Sequence, residues 1–132
     1  MNARAKGTFD VTVTPAGDAH VSEGVTLGRM TLGKRFAGDL AGTGTGQMLT
    51  AMTAVAGSAG YVAIERFTGT LHGRAGSFVL QHTGTMDRGA PQLLASVVPD
   101  SGTGALAGIT GRLAIDIVEG RHFYTFDYAL PG

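Results

Sequence analysis

The sequence predicts an all-β domain of eight short antiparallel strands, on three observations. Runs of Val, Ile, Leu, Phe and Thr alternate with polar residues at the period of a half-buried strand. Glycine supplies 22 of the 132 residues, about twice the usual ~7%. Most of these glycines fall between the apolar runs, where they mark turns, bulges and close backbone approach. No segment carries helical periodicity of useful length. Eight strands with regularly spaced turns fit an up-and-down barrel or a sandwich, and closure into a barrel is attractive because it removes the sheet edges.

Each strand has its own signature. Residues 7–15 alternate cleanly, with Phe9, Val11 and Val13 on one face and Thr8, Asp10, Thr12 and Thr14 on the other. Pro15-Ala16-Gly17 ends that strand, and the polar stretch DAHVSEG reads as a loop. Residues 25–37 form the second strand, with Gly28 or Gly33 a candidate bulge. Residues 43–56 form the third and close on the turn Gly57-Ser58-Ala59-Gly60. With Ser58 and Ala59 in the loop, Met52 falls opposite Glu65 and Ala54 opposite Ala63, so that Met48 and Met52 line the face that carries Glu65. A one-residue slip would present Leu49 and Val55 instead.

The stretch from Ser58 to Met86 holds the fourth and fifth strands, and the rest of the chain is organised around it. Placing Arg74 and Ala75 in the loop between Gly73 and Gly76 sets Leu71 opposite Phe78, Gly69 opposite Leu80, Phe67 opposite His82 and Glu65 opposite Gly84. One face then carries Tyr61, Ala63, Glu65, Phe67, Leu71, Phe78, Leu80 and His82; the other is mostly polar but is interrupted by Val62, Ile64 and Val79. Residues 92–99 make the sixth strand and end in the turn cluster Pro99-Asp100-Ser101-Gly102. The last two strands form a hairpin around Glu119-Gly120, with Leu113, Ile115, Ile117, His122, Tyr124, Phe126 and Tyr128 on one face. The pattern Gly-x-Leu-x-Gly recurs at 38–42, 69–73 and 104–108, which fits recurring turns in one closed sheet better than a solenoid.

Composition bounds the function. A chain of 132 residues forms one domain, spanning 1–132, and buries roughly two-thirds of its surface. Ten basic residues balance ten acidic ones with no basic run, which argues against a nucleic-acid or anionic-membrane surface. The absence of cysteine excludes disulfides and thiolate chemistry. No apolar run reaches the length of a membrane span and no signal-like segment opens the chain, so a cytoplasmic location is expected.

The motif candidates reduce to one pair. Gly28 to Arg35 nearly matches the phosphate-binding loop, but Arg35 replaces the magnesium-binding hydroxyl and no helix follows. GTGTG at 42–46 lacks a helix in the same way, so no cofactor is expected. The four histidines show no metal-ligand spacing, and no metal is expected. Lys6 and Lys34 have no local context that suggests a Schiff base. Glu65 and His82, by contrast, are diagonal cross-strand neighbours on an apolar face, roughly 7–8 Å apart between Cα atoms. A carboxylate and an imidazole so placed suit proton transfer near neutral pH. The bland alternative is a buried structural pair.

The stretches GSAGYVAIERFTGTLHGRAGSFVLQHTGTM, VVPDSGTGALAGITG and GRHFYTFDYAL resemble the DUF3224 family of bacterial proteins, and with FDVTVTP and RMTLGKRFAGDLAG the similarity spans nearly the whole chain. The resemblance implies an allene-oxide-cyclase-like, calycin-like fold: an eight-stranded antiparallel up-and-down barrel whose relatives occur as dimers or trimers. A homodimer or homotrimer is expected on that basis. No motif of the cyclases maps onto this chain, so no catalytic residue is inherited.

Three functions follow as expectations. The first is an isomerase, cyclase or lyase acting on an apolar small molecule inside the barrel. Glu65 would be general base or acid and His82 its partner, while Tyr61, Tyr124 or His122 would stabilise negative charge. Phe67, Phe78, Leu80, Met48, Met52 and Tyr128 would complete the binding surface. The second is a lipocalin-like carrier with the same cavity and no chemistry. The third is a filled barrel that serves as an oligomerisation or interaction module.

Overall fold

The computed structural model describes residues 2–132. Nine antiparallel strands form one sheet: β1 (Asn2–Pro15), β2 (His20–Ser22), β3 (Val25–Gly38), β4 (Leu40–Met52), β5 (Ala59–Leu71), β6 (Arg74–Asp87), β7 (Ala90–Val97), β8 (Thr110–Val118) and β9 (Arg121–Ala129). From β2 to β9 each strand neighbours the next, and β1 pairs with both β9 and β3. Eight strands therefore close into an up-and-down barrel. The ninth, β2, is a short arm on β3 within the stretch expected to be a loop. A single turn of 3₁₀ helix at Gly104–Leu106 lies between β7 and β8. Among the described residues no helix is long and apolar enough to cross a membrane.

The turns explain the sequence pattern. Glu23-Gly24, His72-Gly73, Arg88-Gly89 and Glu119-Gly120 all take positive φ at both residues. That is the backbone a two-residue hairpin needs to match the twist of its strands. Glu119-Gly120 sits where the sequence placed it, and Ile117 faces His122. The central hairpin differs: His72-Gly73, with φ of 47° and 78°, makes the turn instead of Arg74-Ala75. Leu71 now faces Arg74 rather than Phe78, Phe67 faces Phe78, Glu65 faces Leu80 and Ala63 faces His82. The shift is an even number of residues, so every side chain stays on its expected face. Glu65 and His82 remain diagonal neighbours.

Two further differences concern β3 and β4. The register of β3 runs without a break against both β1 and β4, so neither Gly28 nor Gly33 is a bulge. Strand β4 ends at Met52, and residues 53–58 form a separate loop. Within it the Thr53 hydroxyl donates to the Ser58 carbonyl at 3.0 Å, and the Ser58 N–H donates to Val55 O at 3.1 Å. This loop moves the register so that Glu65 faces Gly46 and Met48 faces Ala63. Met52 therefore ends at the rim, 59% exposed, instead of beside Glu65.

The two ends of the barrel are built differently. At one end Phe36, Phe67, Phe78, Tyr124 and Phe126 pack with ring centroids 5.1–5.8 Å apart. The three Gly-x-Leu-x-Gly motifs all lie at this end, and Leu40, Leu71 and Leu106 are each fully buried in it. Each buried leucine contributes about 1.5–3 kcal/mol, so the repeat serves as a plug. At the other end the inward side chains thin out and leave space. On the outer surface Leu49, Val62, Thr83 and Leu94 face one another in a row across β4, β5, β6 and β7. The exposed Leu27 and Ile64 extend this row.

Candidate functional site

A cavity of about 280 Å³ occupies the open half of the barrel. All eight barrel strands line it. Phe9, Val11, Leu32, Met48, Leu93 and Ile115 make apolar walls, while Val13 and Ile117 stand at the exposed mouth. Four polar side chains reach the cavity: Lys34, Tyr61, His82 and His122. Its size is at the small end of ligand pockets, and few polar groups on apolar walls is the usual composition of such sites.

Beneath this lining lies an ion triad. Lys34 on β3 stands between Leu32 and Phe36 on the inward face and is paired with Gly44 on β4. Because Gly44 has no side chain, Lys34 reaches across β4 to Glu65 on β5, and Nζ donates to Oε1 at 2.9 Å. A β-carbon at Gly44 would collide with the other carboxylate oxygen, Oε2. His82 on β6 donates from Nε2 to the same Oε1 at 2.8 Å. A carboxylate only accepts, so the hydrogen sits on Nε2. Oε2 is buried without a hydrogen-bond partner. The Lys34 ammonium also lies over the Phe9 ring, 4.7 Å from its centroid.

The triad sets its own charge. Burial pushes the Glu65 carboxyl up, but the His82 hydrogen bond and the Lys34 charge outweigh it and hold the group below its ordinary value. Glu65 is thus an anion at neutral pH. It is fully buried and does not line the cavity, so it holds Lys34 and His82 instead of meeting a ligand. Burial, and then the charge of Glu65, push the Tyr61 phenol up, so its hydroxyl keeps its proton. Gly84 directly faces Tyr61 and leaves room for its ring. His122 packs on Phe9 with centroids 5.0 Å apart.

Four of the residues expected from sequence line this cavity: Tyr61, His82, His122 and Met48. Phe67, Phe78 and Leu80 are fully buried in the packed half. Tyr124 and Tyr128 also belong to that half. The Tyr124 hydroxyl accepts from the Leu40 N–H at 2.8 Å and has the carbonyls of Ala37 and Leu40 within 3.0 Å as acceptors. Tyr128 hydrogen-bonds to Nδ1 of His72, whose Nε2 lies 3.5 Å from Asp39. Burial raises both phenols. These five side chains are buried in the filled half and do not line the cavity. Sequence reasoning missed Lys34. Its place between Leu32 and Phe36 was a usable signal, but the suspected bulge made the phase of β3 ambiguous.

Fold and site together define a closed eight-stranded β-barrel with an apolar cavity above a buried triad of Lys34, Glu65 and His82. The family model described as a protein of unknown function, DUF3224, matches residues 5–128, and the chain belongs to that family. It is 50% identical to a DUF3224-family protein with unknown function from Shewanella oneidensis MR-1, whose crystal structure it matches with a TM-score of 0.93 over 100% of both chains. No curated protein matches the chain.

Proposed function

We propose that the barrel catalyses an acid–base isomerisation, ring closure or elimination on a compact, largely apolar molecule that carries a carbonyl group. The observation behind this reading is the Lys34–Glu65–His82 triad directly under an apolar cavity. Buried ion triads are often no more stable than the apolar side chains that could replace them, so a reason other than stability favours this one. In the proposed mechanism the walls hold the substrate in a reactive conformer. His82 takes up and returns the proton, with its tautomer fixed by Glu65. The positive charge of Lys34 and the hydroxyl of Tyr61 face the oxygen on which negative charge develops.

The test is native mass spectrometry of the protein after incubation with a metabolite extract, with wild type and His82→Gln compared. A bound species that wild type converts, by loss of water or to a chromatographically distinct isomer, and that His82→Gln leaves unchanged supports the enzyme. A ligand bound but unchanged by both proteins replaces the enzyme with a carrier.

The outer row of Leu49, Val62 and Leu94 supports self-association. A second copy would lie on this antiparallel face with like residues meeting across a two-fold axis.

A further inference from the structure

We propose that Lys34 acts covalently: its amine condenses with an aldehyde or ketone seated in the cavity, giving an iminium whose counterion is Glu65. This rests on the acid–base reading above and names the substrate class. Lys34 has no sequence context for such a role; the barrel supplies one. The chain has ten basic residues, and the other nine, eight arginines and Lys6, are all exposed. The one basic side chain turned inward is a lysine, 7% exposed and at the cavity lining. For an ion pair alone, arginine would offer a carboxylate two parallel hydrogen bonds. Lysine differs in being able to give up its proton and become a nucleophile.

The surroundings match each step. Lys34 Nζ lies 2.9 Å from Glu65 Oε1, which takes the proton that the ammonium releases. The Nζ lone pair then attacks the carbonyl carbon, the C=O π pair moves to oxygen, and that oxygen takes a proton from the attacking nitrogen, to which Glu65 returns the first proton. Loss of a second proton from nitrogen to that hydroxyl releases water as the C–O bond breaks and the C=N bond forms. One ammonium and one carbonyl thus give one iminium and one water, with charge conserved and no oxidant or reductant. Glu65 already lies where the new cation needs an anion. The iminium draws electrons from the adjacent C–H bond and so makes the proposed isomerisation or elimination easier.

The experiment incubates the full-length protein with benzylacetone and sodium cyanoborohydride near neutral pH and maps alkylation by peptide mass spectrometry. Exposed Lys6 serves as the internal control. Lys34 is expected to be alkylated at least about tenfold faster than Lys6, and more slowly in Glu65→Gln. Lys34→Arg keeps the buried cation and should lose the label. In parallel, exchange of the ketone's α-protons in D₂O is followed by NMR for wild type and Lys34→Arg. Labelling of Lys6 without Lys34 overturns the proposal. Exchange without a Lys34 label overturns the iminium and leaves the acid–base reading in place, whereas absence of both overturns both.

Discussion

Glu65 Oε1 accepts one hydrogen bond from His82 and one from Lys34, at 2.8 and 2.9 Å, while Oε2 of the same carboxylate has none. Three strands, β3, β5 and β6, are thereby joined through one oxygen inside the barrel. The arrangement makes Glu65 the group on which the other two depend for position and charge.

Glu65→Leu should cost about 3–5 kcal/mol, because it leaves the Lys34 cation buried without its anion. Combining it with Lys34→Met should recover most of that loss, since an apolar pair of similar volume needs no desolvation. Urea denaturation of the two single variants and the double variant measures the coupling. Additive losses would show that the two side chains do not act as a pair.

Stability should fall in acid through Glu65. Its folded carboxyl lies below the ordinary value, so its contribution is full above the unfolded value of about 4.3 and is lost as pH drops through the folded one. Urea midpoints between neutral pH and pH ~3 should therefore show a decline that is shallower in Glu65→Gln. The same slope in both proteins would assign the acid sensitivity to other carboxylates.

Gly44→Ala should displace the Glu65 carboxylate and destabilise the fold by about 1–3 kcal/mol, because the added methyl has no room beside Oε2. Gly33→Ala is the matched control. A β-carbon there meets nothing within 4 Å, and the change should lie within about 0.5 kcal/mol of neutral. Thermal melts of the two variants decide this, and equal losses would remove the special role of Gly44.

Val62→Lys should weaken self-association without unfolding the barrel. Val62 is half exposed at the middle of the outer apolar row, so a charge there is solvated in the monomer and buried in an assembly. Sedimentation velocity over a concentration series should show a shift toward monomer. An unchanged distribution would place any interface elsewhere.

The faces of the strands were legible in the sequence because side-chain alternation depends on parity alone. The even register shifts at β5–β6 and β4–β5 moved residues along the barrel and left every inward residue inward. Glu65 and His82 were found together for that reason: they are diagonal whether the turn falls at Arg74-Ala75 or at His72-Gly73.

Height along the barrel axis was not legible. Phe67, Phe78, Leu80, Tyr124 and Tyr128 share the inward face with Tyr61 and His82, yet they fill the end plugged by Leu40, Leu71 and Leu106. Alternation carries no signal for that difference, which arises only when eight registers are summed around a closed sheet. Lys34 was hidden for a related reason. It lies thirty-one residues from Glu65 in sequence, and their contact exists only because β3, β4 and β5 are adjacent and Gly44 leaves the space between them empty. The sequence by itself thus determined an all-β chain, its turns and its inward faces, through local backbone preference and the period of the strand. Tertiary structure alone decided which half of the barrel is open and which cation shares the buried carboxylate, because both depend on packing between strands distant in the chain.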